Sequence, residues 1–521
     1  MTDSSASMLA PAPGTLTGPG TGANTDTHPS TTIRTALARA GRDDYHRWLE
    51  HVTSAAGCAH PVRLRGDLAT VDTRTGEVLA VTPTGALPDG VIYKACGNRR
   101  HTVCPSCATV YQHDAFHLIR AGLTGGKTVP ESVTRHPAVF ATFTAPSFGP
   151  VHSRFVRSCT CRDKASCRCR AEPCHARRNA ETCPHGVQLV CWRRHAPGDE
   201  QLGWPLCPDC YDHDHHVVWN HHTGELWRRT KQAAERHLNQ LARRRGLPKV
   251  RLSHGKAAEY QARGAVHFHV LLRLDGLDPD DKSAIIPPPA GLDAHDLVEA
   301  VEHASIQAFA TAPHPVRPDG WPIYWGDQLD VRPITLSGTG DQLSDQAVAA
   351  YLAKYSTKGT EATGHVSRRL DGESIDLYAN PTGTHPERLI AAAWDLGQAP
   401  GFEGLRRWAH MLGFGGHFLT KARRYSITFT QIRTDRAEHR RHLARTETRA
   451  AALDRQDHLD TETEDTTLVV GFLTYAGTGW HSAGDQLLAN TAAAQSREYA
   501  RAGREELAFE QACSSSTPLA A

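Results

Sequence analysis

The chain has 521 residues, enough for roughly two to four domains. Its 39% apolar and 22% charged residues are those of an ordinary globular protein, not of a disordered or membrane chain. The formal net charge of +2 conceals local asymmetry: residues 154–194 carry nine arginines and a lysine against few acids, residues 228–263 are similarly basic, and acids gather in "DRQDHLDTETEDTT". Clustered arginine of this kind is the footprint of a phosphate-backbone binder, although each cluster alone also fits a solvated helix face.

Residues 1–32 form a Ser/Thr/Pro/Gly-rich tail without the basic and apolar regions of a signal peptide. No window approaches eighteen uninterrupted apolar residues, so no membrane span is expected and a cytoplasmic setting is. The spacing then predicts a helix over "TTIRTALARAGRDDYHRWLEHVTSAAG", stopped at Gly57, and a β-like patch in "DLATVDTRTGEVLAV". A knuckle, "CGNRRHTVCPSC", leads into a helix from about Ala108 to Ala121. "AVFATFTAPSFG" is a buried strand ended by Pro146. A cysteine-rich segment, 158–213, precedes a long helix capped by Gly246, and two strands follow, around Val250–Tyr260 and in "AVHFHVLLRLD". After "IIPPPAGLD" come the helix "DAHDLVEAVEHASIQAFA", a strand in "IYWGDQLDVRPI" and a Ser/Asp-capped helix, "SDQAVAAYLAKYSTKGT". The remainder reads as mainly helical. "AGLTGGKT" fits a relaxed phosphate loop, but a helix precedes it and Pro130 breaks the helix that should follow, so ATP binding is not expected.

Strand side chains alternate, so His267 and His269 share one face while Phe268 points to the other. Alone, a His-x-His pair also fits a strand at a sheet edge. Glu259, on the preceding strand across the Gly264 turn, would bring a carboxylate beside both imidazoles. Two histidines and a carboxylate leave positions open for substrate oxygens and water, which suits Mg²⁺ or Mn²⁺. On the helix, Tyr351 and Tyr355 stand four residues apart and share a face, with Lys354 and Lys358 on the same side. A tyrosine hydroxyl, with a pKa of about 10, needs a neighbouring cation to become an effective nucleophile. The alternative is an amphipathic helix whose tyrosines pack.

Twelve of the fourteen cysteines lie between Cys96 and Cys210. In a reducing compartment such density points to metal. Cys104-x-x-Cys107 and Cys207-x-x-Cys210 each supply half of a tetrahedral thiolate site, and pairing them gives a Cys₄ zinc ribbon. Cys96, Cys183, Cys191 and His195 form a candidate second site, and Cys159, Cys161, Cys167, Cys169 and Cys174 a third. Such Zn²⁺ is structural.

"FATFTAPSFG", "EYQARGAVHFHVLLRLD" and "YLAKYSTK", in that order, resemble the three motifs of the HUH endonuclease family of rolling-circle replication initiators, in the two-tyrosine branch. "CGNRRHTVCPSC", "LCPDCYDHD" and "HMLGFGGHFLTKARRYS" look like the initiators of actinobacterial plasmids and integrative elements. The resemblance runs from about Cys96 to Ser426. It implies an α/β (α+β) fold with a central antiparallel sheet, flanking helices and a cysteine-rich zinc-binding insertion. It also implies nicking of one strand at an origin through a 5′-phosphotyrosine link, with Tyr351, Tyr355 and Lys354 catalytic and Glu259, His267 and His269 holding the metal. DNA, a host helicase and a host polymerase are the implied partners. The expected division is a tail at 1–32, an N-terminal region at 33–135, a nicking domain at 136–365 with its insertion at 158–213, and a mainly helical region at 366–521. A single-strand transposase or relaxase of the same type, or a non-catalytic zinc-finger DNA-binding regulator, would share these features.

Overall fold

A computed structural model describes residues 31–156, 170–179, 181–334, 344–357, 369–454 and 467–515. The helices are α1 (Thr31–Ala40), α2 (Tyr45–Val52), α3 (Pro105–Thr124), α4 (His213–Arg244), α5 (Ala294–Ser305), α6 (Asp345–Ser356), α7 (His385–Leu396), α8 (Glu403–Arg407), α9 (Phe429–Asp454) and α10 (Ala483–Ser515). The strands are β1 (Val62–Asp72), β2 (Val78–Pro83), β3 (Ile92–Lys94), β4 (Ala138–Phe143), β5 (Val250–Tyr260), β6 (Val266–Gly276), β7 (Ala308–Ala310), β8 (Pro322–Tyr324), β9 (Leu329–Pro333), β10 (Leu419–Lys421) and β11 (Thr467–Thr478). The fold is mixed α/β with antiparallel sheets.

Gln112–Ala437 form one compact unit, and the described residues up to Tyr111 join those from Glu438 onward in a second. In the first unit, a five-stranded sheet runs in the order β10-β5-β6-β4-β9. β6 is buried along its length except at half-buried His267, because both of its faces are covered. Phe268, Val270 and Leu272 pack with Trp219, Leu226 and Leu238 of α4. On the other face, Leu271 and Ala257 pack with Ile119 of α3 and with Val348 and Leu352 of α6. Burying Phe268 completely contributes roughly 2–3 kcal/mol.

Local chemistry sets the element ends. The Asp212 carboxylate accepts the His215 N–H at 2.8 Å to start α4, and Gly246 beyond its end has φ +69°. Asp293 and Asp296 form a capping box on α5, and Ser344 Oγ accepts from the Ala347 N–H at 3.2 Å to open α6. "AGLTGGKT" closes α3 and turns towards β4; residues 131–135 that follow form a short 3₁₀ turn. The last part of "SDQAVAAYLAKYSTKGT", from Lys358 onward, lies outside the described residues.

In the second unit, β1 is the hub: it pairs with β11 along its whole length, from Val62↔Thr478 to Asp72↔Thr467, and also with β2 and β3. The single helix expected over residues 31–57 is two, α1 and α2, separated by a turn that starts at Gly41. The C-terminal region expected to be mainly helical contributes β11 as well, because this strand finds its partner some four hundred residues earlier in the chain. Trp48, Val52, Tyr93 and Ala489 form the core. Buried Arg39 is held by Asp485 at 2.7 Å and Asp89 at 2.9 Å.

Candidate metal and nucleophile site

The β5–β6 register places Glu259 directly opposite His267, and alternation carries His269 onto the same face. The turn between the strands closes through the Gln261 N–H donating to the Ala265 carbonyl, with Gly264 at φ +84° where a side chain would be strained. His267 Nε2 lies 3.1 Å and His269 Nε2 3.3 Å from the same oxygen, Glu259 Oε2. All three donor atoms fall within 4.8 Å of one another, so these residues could hold one metal ion. Two neutral imidazoles and one carboxylate suit a divalent cation with open positions. Thr142, opposite His269 on β4, brings its Oγ1 to 3.2 Å from His269 Nδ1 and so orients the ring with Nε2 towards the donor set.

Helix α6 packs over this face. Val348 and Leu352 bury one stripe, which leaves Tyr351 and Tyr355 on the flank facing the histidines. The Tyr351 hydroxyl lies 3.3 Å from His269 Nε2. Its ring centre is 4.8 Å from that of His269 and 4.4 Å from that of Tyr355. Phe140 stacks on His269 and meets Tyr351 edge-on. Burial raises the Tyr351 phenol pKa, and the hydrogen bond with Tyr355 and the Glu259 charge add to that. Lys354 is exposed on the same helix. Lys358 lies outside the described residues.

The family model described as "Replication initiator protein, pSAM2" matches residues 44–494, which include every residue of this site. The chain belongs to this replication initiator family. A replication initiator protein of Streptomyces ambofaciens is 40% identical over 488 residues, covering 92% of this chain and 97% of its own length. No solved structure matches the chain. Membership in the initiator family implies DNA as a partner. Among the described residues no helix is long and apolar enough to cross a membrane.

The initiator's cysteines gather differently from the expected pairing. Cys104 and Cys107 do not meet Cys207 and Cys210; they cluster with Cys96 and Cys58 in the second unit. There the Cys96–Cys107 sulfurs lie 3.6 Å apart and Cys58–Cys104 3.9 Å, close to the roughly 3.8 Å edge of a tetrahedron built on Zn–S bonds of about 2.3 Å. The Ala59 and Cys96 N–H groups donate to Cys104 and Cys58 sulfurs. Cys207 and Cys210 instead meet Cys183 and His185, which an antiparallel bridge at Thr182↔Gln188 holds in a tight turn. The proposed grouping of Cys96, Cys183, Cys191 and His195 is divided among three clusters. Cys191 and His195 join Cys174 and His152. Here His195 directs Nε2 at Cys191, 3.6 Å away, while Nδ1 meets Asp199 at 2.9 Å, the carboxylate–histidine arrangement typical of a metal ligand. Cys159, Cys161, Cys167 and Cys169 lie outside the described residues.

These clusters could each hold a metal such as zinc. Sequence reasoning missed Cys58, His152 and His185. The Cys183-Pro-His185 spacing was a usable signal for the last, whereas His152 meets Cys174, Cys191 and His195, all more than twenty residues further along the chain.

Proposed function

We propose that the chain initiates rolling-circle replication by nicking and rejoining single-stranded DNA at an origin, on a sheet of the HUH endonuclease type. The convergence of the Tyr351 hydroxyl on the Glu259–His267–His269 donor set carries this reading. The antiparallel sheet with the histidine pair on its middle strand, β6, supports it too. Glu259, His267 and His269 would hold Mg²⁺ or Mn²⁺. When bound, that ion supplies positive charge to a non-bridging oxygen of the scissile phosphate.

The chain's own residues do the rest. Tyr351 Oη attacks phosphorus, the phenol proton is lost, and the 3′-oxygen departs and takes up a proton, leaving a 5′-phosphotyrosine and a free 3′-OH to prime a host polymerase. Thr142 and Phe140 hold the His269 ring in place, and Tyr355 stands close enough to be the second nucleophile that cuts the regenerated origin. Lys354, exposed beside them, stabilises charge on the phosphate oxygens. The cysteine clusters carry structural Zn²⁺, and a host helicase separates the strands.

The test is incubation with single-stranded DNA of the replicon's own origin and Mn²⁺, read as a detergent-stable protein–DNA adduct. Wild type should form the adduct and Tyr351→Phe/Tyr355→Phe should not. An adduct persisting in the double variant would overturn the tyrosine mechanism.

A further inference from the structure

A groove of about 900 Å³ opens at the end of the sheet that bears Glu259 and His267. Thr144 and Gln261 line it; they stand just past the ends of β4 and β5, two residues beyond Thr142 and Glu259 and roughly 7 Å further along. The groove therefore begins where the donor set ends. Its size is at the upper end of the roughly 300–1,000 Å³ of pockets for small ligands, room for unpaired nucleotides and too little for a duplex.

The far wall is built by the cysteine-rich insertion together with the segment just before it. His152 both lines the groove and belongs to the cluster of Cys174, Cys191 and His195; His175, next to Cys174, lines it as well. The His152 N–H donates to the Trp204 carbonyl and the Gly203 N–H to the His152 carbonyl, so this loop and the 203–204 segment form one layer. Gly203, at φ +86°, passes so near the β5–β6 turn that a Cβ would lie 2.3 Å from the Ala262 carbonyl carbon. From the other side, Arg263 ties that turn to the Pro146 and Ala145 carbonyls at 2.9 and 3.0 Å. Among the described residues of 170–212 the chain has isolated bridges in place of helices or extended strands, apart from a 3₁₀ turn at Pro208–Cys210. Such a segment depends on ligated metal to hold its shape.

The mouth offers the chemistry of a single strand. Arg154 is exposed and suits a phosphate; Tyr324, 39% exposed, offers a ring for stacking; Gln328 and Asp327 present amide and carboxylate groups to base edges.

We propose that this groove holds the unpaired nucleotides on one side of the scissile phosphate, and that the His152–Cys174–Cys191–His195 centre, loaded with zinc, sets its outer wall. The inference rests on the nicking reading for which phosphate is cut, but its test needs no chemistry. In the Tyr351→Phe/Tyr355→Phe background, binding of a fluorescein-labelled, mixed-sequence single-stranded oligonucleotide is measured by anisotropy beside the same sequence as duplex. Arg154→Ala/Tyr324→Ala, both exposed, should weaken single-strand binding roughly tenfold to a hundredfold and leave duplex binding unchanged. His195→Ala, which does not line the groove, should lose one equivalent of zinc by mass spectrometry and show the same weakening, and His195→Cys should restore both. Unchanged single-strand affinity in Arg154→Ala/Tyr324→Ala would overturn the groove's role. Loss of zinc without loss of affinity in His195→Ala would overturn the role of the centre. Absence of an adduct in the wild type, with these shifts intact, would instead refute the nicking reading alone.

Discussion

Two polar clusters share one face of β6, and they are built to opposite ends. Alternation sends His267, His269, Leu271, Arg273 and Asp275 to the same side. At the far end, Arg273, Asp275 and His136 have side chains with 0% exposure. Asp275 accepts from Ser253 Oγ at 2.6 Å and from Arg273 at 2.7 and 3.0 Å, and His136 Nδ1 lies 2.8 Å away. Arg273 goes on to the Tyr425 and Gly122 carbonyls. This cluster is closed: its charges are neutralised within the protein. At the near end, Glu259 and His267 side chains keep 14% and 17% exposure, and three donor atoms converge on one point beside a tyrosine hydroxyl. One cluster pins the sheet to its neighbours, and the other gathers donor atoms that could hold a metal ion. Polarity on a buried strand does not distinguish them; pairing of opposite charges within the protein does.

The contrast is tested most severely at the open end. His267→Ala/His269→Ala should reduce adduct formation about a thousandfold or more, from the several kcal/mol a bound divalent cation contributes to transition-state charge. Its urea midpoint should fall by much less than that of a variant at the closed end, since His267 is part-exposed and buried His269 is paired with no opposite charge but Glu259. A comparable fall in stability would make this cluster structural, like its neighbour. At the closed end the pattern should invert. Asp275→Ala leaves Arg273 buried without its carboxylate and should cost about 3–5 kcal/mol in urea unfolding. Adduct formation by the folded fraction at low temperature should remain within a few-fold of wild type. A selective loss of cleavage with unchanged stability would erase the distinction.

The open cluster was legible in the sequence because its information is local. Glu259, Gly264, His267 and His269 lie within eleven residues, and alternation with one turn fixes their relative positions. The tyrosines followed from helical spacing, while their approach to His269 depends on α6 packing through Val348 and Leu352 onto Ala257 and Leu271, which no local pattern states. The same limit explains the misplaced cysteines. Cys-Pro-x-Cys spacing identifies half a site, but the other half is chosen by tertiary structure: Cys58 follows α2 and precedes β1, and His152 lies over twenty residues from Cys174. β11 was missed for the same reason, since its partner β1 lies at the other end of the chain.

The smallest expected effect concerns pH and again separates the clusters. Burial alone would push the Asp275 carboxyl up, but hydrogen bonds from His136, Arg273 and Ser253 more than offset it and hold the pKa below the ordinary carboxylate value. A carboxyl whose native pKa is depressed binds fewer protons folded than unfolded. Its contribution is therefore fully present above the unfolded value of about 4 and is lost as pH falls through the lower native value. Wild-type stability should then drop on acidification below about pH 4 by more than that of Asp275→Asn, which starts less stable and lacks this titration. Urea midpoints compared at neutral pH and in the acid limb measure the difference. If the two proteins lose stability in parallel, the carboxylate at the closed end is not held by its charge, and the buried network there contributes packing alone.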